Sequence, residues 1–429
     1  MRKKPDCLQN KQPPEIKPKT DRITQVREYQ LITPLFGGGV EPNTYDPVSV
    51  VRATAIRGHL RFWWRACRGG GYKSLEDLKR AEDAIWGAAA RTAQDGRQTG
   101  GQSPVWVAVT CENRGAVFTV RFKGNEPSEE VGNPKSPYSY VAFPLNESKG
   151  TVQEGVKFSL TITFLQAQAR EVEAALWAWE TFGGIGARTR RGFGALQLKC
   201  VTQNGQDVPL DLPPAVKHEV DKWLKKKLEH YVVAEAFPAM VPHLVRTPNM
   251  IIKHSSNALD VWAKLIKSLK NFRQVRRDGD NNASSYGHSV WPEPNMLRKR
   301  YRQQARGPFD NRVINAAPRG AFGLPIIFHM PHDSNIDTDN ISLQLDEKRD
   351  RFASPLILKP LACQGGKAVG LALILEGTTV PEQLYLKGAP EGQANVTRTV
   401  TPEEARKIPP LNGNSDVLQA FLNFLKERN

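Results

Sequence analysis

The sequence predicts an α+β chain whose first half is a split βαβ, ferredoxin-like domain, and three observations predict it. Two segments repeat apolar residues at helical spacing, and several others alternate apolar and polar residues as half-buried strands do. Without the insertions, their order is strand, helix, strand, strand, helix, strand. In that arrangement both helices pack on one face of an antiparallel sheet. At 429 residues the chain exceeds one ordinary core, so two or three domains are expected.

Residues 1–24 are rich in Lys, Pro and Gln and lack periodicity, which predicts a disordered basic tail. The first domain is predicted over 25–212. Order is expected to begin with the strand Tyr29-Gln30-Leu31-Ile32-Thr33. Over 50–68, Ile56, Leu60, Trp63 and Cys67 recur at steps of four, three and four, the stripe of an amphipathic helix. A second helix carries Leu75, Leu78, Ile85 and Trp86. The runs Val105–Val109 and Ala116–Val120, joined through Asn113-Arg114-Gly115, read as a hairpin. After a polar insertion, Val156, Phe158, Leu160, Ile162 and Phe164 alternate as a strand. A helix with Val172, Leu176 and Trp179 follows, and the closing strand runs Ala195–Cys200.

The second domain is predicted over 213–429 as a decorated α+β unit. A lysine-rich helix carries Val216, Val220, Trp223 and Leu228, and another carries Leu259, Trp262, Ile266 and Leu269. Residues 273–321 read as a long basic segment with little periodicity. Strands resume at Leu324–Phe328 and Ala368–Leu375, and a last helix holds Val417, Phe421, Leu422 and Leu425.

The formal net charge is +16, a balance expected of a protein that meets a polyanion. No run of eighteen apolar residues appears, so nucleic acid is favoured over a membrane surface. Five scattered cysteines without metal-ligand spacing fit a reducing cytosol and argue against a disulfide framework or structural zinc.

The most informative stretch is Gly183-Gly184-Ile185-Gly186-Ala187-Arg188-Thr189-Arg190-Arg191-Gly192-Phe193-Gly194. Its glycines bare backbone N–H groups and allow positive φ, and its arginines add fixed charge, a combination suited to a phosphodiester backbone. No Gly-Lys-Ser/Thr closes it, so it is not a nucleotide-triphosphate loop. Gly183 is expected to cap the preceding helix. The alternative is a plain glycine turn.

Beside the apolar stripe of the first long helix, Arg57, Arg61, Arg65 and Arg68 follow the same rhythm, and no acid lies between Val48 and Leu75. A helix face so charged is expected to meet an anion, the alternative being an ordinary solvated face. Trp64 falls at the edge of this face, where it either stacks on a base or closes the core. His59 is weighed as a general base on a 2′-hydroxyl against a structural role. His288 lies in a polar loop without a visible partner, and Asp278 and Asp280 suit a turn better than a metal.

Four passages together resemble one family. They are Leu31–Gly39; Arg52-Ala53-Thr54-Ala55-Ile56-Arg57-Gly58-His59-Leu60-Arg61-Phe62-Trp63-Trp64-Arg65-Ala66; the loop at 183–194; and Arg351-Phe352-Ala353-Ser354-Pro355-Leu356. The chain is similar to the first-subunit family of the type III-B CRISPR effector, the Cmr complex, within the RAMP superfamily. The match is densest over 29–200. The resemblance implies two tandem ferredoxin-like (RAMP/RRM-like) domains with long insertions. It implies a cytoplasmic, non-catalytic subunit for antiviral defence that holds the 3′ region of the CRISPR RNA and helps capture target RNA. The implied partners are those two RNAs and other Cmr subunits, especially the sixth, with no cofactor, metal, membrane or small-molecule substrate. The implied RNA contacts fall on Arg52, Arg57, Arg61, Trp64 and Arg65 and on Gly183, Gly184, Gly186, Arg188, Arg190, Arg191, Gly192 and Gly194. The competing expectation is a metal-independent RNA endonuclease with a histidine general base.

Overall fold

Four strands form the core of the first half: β1 (Arg22–Leu31), β2 (Trp106–Asn113), β3 (Lys157–Leu165) and β4 (Leu196–Gln203). They lie in the order β4-β1-β3-β2, every neighbouring pair antiparallel, with the short strand Gln206–Asp207 beyond β4. This is the strand order of a ferredoxin-like sheet. The computed structural model describes residues 21–39, 46, 48–92, 98–119, 139–142, 151–276, 289–301, 313–328 and 341–427.

Helix α1 (Ala53–Arg68) connects β1 to β2 through α2 (Leu75–Trp86), and α3 (Ala169–Phe182) connects β3 to β4. The period-2 pattern of β3 sends Phe158, Leu160, Ile162 and Phe164 inward, all with no exposed surface. They meet Ile56, Leu60, Trp63 and Trp64 of α1 and Val172, Leu176 and Trp179 of α3. α2 starts where Ser74 accepts the Asp77 N–H, a side-chain N-cap.

Two expectations need correction here. The strand begins at Arg22, so the last residues of the predicted tail are ordered, and residues 1–20 lie outside the described residues. The inward positions there are polar, which hid the strand: Gln25 bonds Gln203, and Arg27 and Tyr29 both bond the Glu180 carboxylate. The predicted hairpin does not pair with itself. Ala116–Thr119 pairs with Thr151–Glu154 in a separate small sheet, because the Asn113–Gly115 turn carries the chain off the edge of the main one.

The second half contains α4 (Lys217–Tyr231), β5 (Met250–Ser256), α5 (Ala258–Arg273), α6 (Glu293–Arg300), β6 (Leu356–Ala362), β7 (Ala368–Ile374) and α7 (Val417–Glu427). Its main sheet has the order β5-β7-β6, again antiparallel, with α5 after its first strand and α7 after its third. Three of the four ferredoxin-like strand positions are thereby repeated. A four-stranded satellite sheet includes Ile326–Ile327, the part of the predicted strand 324–328 that pairs. The predicted basic segment 273–321 is not wholly irregular: α6 buries Met296 and Leu297 within it. Residues 277–288, with His288, Asp278 and Asp280, lie outside the described residues.

Alternation along β6 explains how the halves meet. Ile357 and Leu361 join the apolar cluster of α1 and α3, whereas Leu356 and Leu358 join that of α5 and α7. The second sheet is therefore sandwiched, with the helices of the first half on one face and its own on the other. β6 and β7 read as near-continuous apolar runs for that reason.

Candidate nucleic-acid interface

The glycine–arginine loop leaves α3 at Gly183, whose N–H bonds the Trp179 carbonyl as the predicted cap. It then folds tightly on itself. Ile185 donates to the Gly194 carbonyl, Gly194 to Pro34 and Ala187 to Phe36. These N–H groups are consumed within the protein, which corrects the expectation that the loop backbone is bared for phosphate. The glycines answer to packing instead. A Cβ on Gly194, at φ +59°, would lie 1.9 Å from the Ile185 carbonyl oxygen, and one on Gly192, at φ +88°, 2.3 Å from Trp262 Nε1. Added Cβ atoms at Gly183, Gly184 and Gly186 would also fall under 3 Å from their neighbours.

The three loop arginines reach across to the second half or to a neighbouring segment, and each bonds only neutral oxygens among the described residues. Arg188 donates to the Val141 carbonyl at 3.0 Å, Arg190 to that of Ser354, and Arg191 to those of Leu356 and Phe322, both at 2.9 Å, and to Ser354 Oγ. Arg190 also lies over the Phe62 ring of α1 at 5.6 Å, and Arg188 over Phe36 at 6.0 Å. Arg273, at the end of α5, and Arg351 stand close enough to repel them. Burial, then repulsion from Arg273 and Arg351, pulls the Arg188 pKa down to about 10. Burial, then repulsion from Arg273 and Arg188, pulls Arg191 to about 9. All remain cations at neutral pH, held together at a cost that a multivalent anion would relieve. Arg351 pairs with Asp350, but that pair is widely exposed and weak.

The arginine stripe of α1 behaves oppositely. Arg61 and Arg65 both bond Glu82 Oε1, Arg61 at 2.6 Å and Arg65 at 2.5 Å, and Arg61 also reaches Asp83. Arg68 pairs with Glu171 at 2.7 Å, and Arg57 points to the carbonyls of Trp86 and Val105. The acids missing from the helix arrive from α2 and α3. Trp64 is fully buried, its Nε1 donating to Glu171 at 2.7 Å, so it closes the core and does not offer a face to a base. Arg52 sits at the N-cap of α1, where its carbonyl accepts the first helical N–H groups.

His59 points from α1 to the loop. Its Nδ1 lies 2.8 Å from the Gly184 carbonyl, its ring packs edge-on to Trp179, and burial holds its pKa below the usual imidazole range. Here the imidazole ties helix to loop.

Sequence reasoning missed two contributors. Lys359 lies in the buried strand β6 and donates to the Gly183 carbonyl at 2.7 Å, capping the end of α3 from the second half. A lone lysine in the run Leu-Ile-Leu-Lys-Pro-Leu-Ala was the available signal. Arg273, read from the sequence only as the first residue of the basic segment 273–321, is the last residue of α5. Among the described residues, no three His, Cys, Asp or Glu side chains are grouped to hold a metal ion, and no helix is long and apolar enough to cross a membrane.

A model of the RAMP superfamily matches residues 28–197. Over 192 residues, the chain is 23% identical to CRISPR system Cmr subunit Cmr1-2 of Pyrococcus furiosus, covering 41% of this chain and 95% of that one. Among solved structures, Cmr1 from Pyrococcus furiosus in its apo form is 16% identical, covering 90% of this chain and 96% of that one with a TM-score of 0.46. A chain of the type III-B Cmr-beta complex bound to cognate target RNA is 12% identical, covering 94% and 100%, with a TM-score of 0.47.

Proposed function

We propose that the chain, whose residues 28–197 match the RAMP superfamily, is an RNA-binding, non-catalytic subunit of a type III-B CRISPR effector. The matched relative is itself a Cmr subunit, which supports the assignment. In this reading the protein is cytoplasmic. It works beside other Cmr subunits, including the sixth, holds the 3′ region of the CRISPR RNA and helps capture complementary target RNA. The halves 25–212 and 213–429 act as one binding body.

The observation that carries the RNA contact is the cluster of Arg188, Arg190, Arg191, Arg273 and Arg351, in which the loop guanidiniums meet carbonyls and one another instead of carboxylates. Such a cluster grips phosphates with salt-sensitive affinity and little base preference. Arg61 and Arg65 are paired with a carboxylate and drop out of the proposed RNA-binding residues, as does the buried Trp64; Arg57, bonded to carbonyls alone, stays among them. Loop glycines shape the site without touching RNA. The bond from His59 to Gly184 supports a structural role for the imidazole over a general base.

The test uses Arg188→Ala with Arg351→Ala, two partly or widely exposed positions. Affinity for a mixed-sequence single-stranded RNA, measured across a salt series, should fall about tenfold or more at low salt. The slope of log affinity against log salt should flatten by about 1.4, roughly 0.7 for each phosphate no longer neutralised. An unchanged slope with an unchanged melting temperature would overturn the assignment.

A further inference from the structure

Next to the arginine cluster lies a cleft of about 270 Å³ that none of the loop arginines enters. Its walls are apolar: Leu297 from α6, with Ile326, Ile327 and Phe328 from the satellite strand and the residue after it. Ile327 is 57% exposed, so the side chain there can be changed without disturbing the core. The rim is polar and basic, formed by Gln274, Arg276 and Arg319. Gln274 directly follows Arg273, and Arg319 Nη1 donates to the Arg273 carbonyl at 3.3 Å, so rim and cluster are continuous.

Among the described residues no carboxylate lines the cleft. Glu293, beside the lining residue Pro294, has no exposed surface and is spent on Arg319, accepting its backbone N–H at 2.9 Å and lying 3.1 Å from its Nε. These contacts hold Arg319 against the cleft. An apolar lining, a side-chain amide and two guanidiniums match the parts of one nucleotide: the face of a base, its edge and its phosphates. The volume falls just below the span of drug-sized sites, roughly 300–1,000 Å³, and suits a single base.

We propose that this cleft binds one unpaired base of the RNA, turned out of the strand, while the adjoining arginines hold its flanking phosphates. The proposal rests on the RNA-binding reading above. It adds an interaction that depends on the presence of a base, where the cluster alone responds to charge.

The experiment uses the full chain and two RNA series, one intact and one with a single abasic site walked along the strand. Ile327→Trp fills the cleft from an exposed position, and Gln274→Ala removes the edge amide. Each variant should lower affinity for intact RNA about tenfold with the salt slope unchanged. One abasic position should weaken the parent protein to the same extent, and for that RNA the variants should show no further loss. If no abasic position matters and Ile327→Trp binds intact RNA normally, the cleft is not a base site, even if the arginine variant flattens the slope as expected. If Ile327→Trp spares RNA affinity but blocks association with neighbouring subunits, the cleft seats a protein side chain and the proposal is overturned.

Discussion

The arginines of α1 and those of the 183–194 loop are chemically identical and equally conspicuous in the sequence, yet they are satisfied in different ways. On α1, Arg61 and Arg65 share the buried Glu82 and Arg68 takes Glu171. In the loop, Arg188, Arg190 and Arg191 find carbonyl oxygens and further arginines. Three of the four arginines of the first set meet carboxylates within the chain, and Arg57 meets carbonyls. Among the described residues the loop guanidiniums meet no carboxylate, so an anionic partner would relieve their charge. A run of arginines therefore marks a binding face only once its counter-charges have been located.

The largest effect expected on this contrast comes from Gly194→Ala. The new Cβ collides with the Ile185 carbonyl at a backbone conformation unfavourable to alanine, so stability should fall by about 3 kcal/mol or more. Chemical denaturation checks this, and a change below about 1 kcal/mol would mean the loop relaxes freely and is no rigid frame for its arginines.

Glu82→Ala strikes the other side of the contrast. Two guanidiniums lose a carboxylate with only 4% side-chain exposure, at a cost of about 2–3 kcal/mol, moderated because the arginines are a quarter to a third exposed. The same variant should steepen the salt dependence of RNA binding, since α1 then carries unneutralised charge. A protein as stable as its parent would show that the stripe needs no internal partner.

A pH-dependent effect comes from Lys359, whose full burial lowers its pKa to about 7. The unfolded lysine titrates near 10.4, so between roughly pH 7 and 10.4 the unfolded chain binds the extra proton. Stability should therefore rise with pH through that window, by at most about 1.4 kcal/mol per pH unit from this group. Lys359→Met should remove that rise. A denaturation series at several pH values decides it, and identical slopes in both proteins would count against a buried neutral amine.

The first half was legible because its signals are local. The alternation of Val156 to Phe164 and the spacing of Ile56, Leu60 and Trp63 each report one face of one element. β6 was missed because, buried on both faces, it shows no alternation and is interrupted by Lys359 and Pro360, and β5 because only the buried Ile251, Ile252 and Lys253 precede a polar end. The site was half legible. The loop and its arginines stand out in the sequence, but the acids that neutralise α1 sit on α2 and α3, at separations no helical wheel spans. The residues that complete the arginine cluster, Arg273 and Arg351, are far from the loop in sequence and meet it only through the packing of the two halves.

The bonds from Arg190 and Arg191 to carbonyls of the second half have a wider implication. A fragment ending near residue 212 would keep the whole family-matched domain and still lose the acceptors that aim its guanidiniums. The proposed RNA-binding surface is thus a property of the seam, so insertions that shift one half against the other would alter what the loop can hold without changing a residue in it.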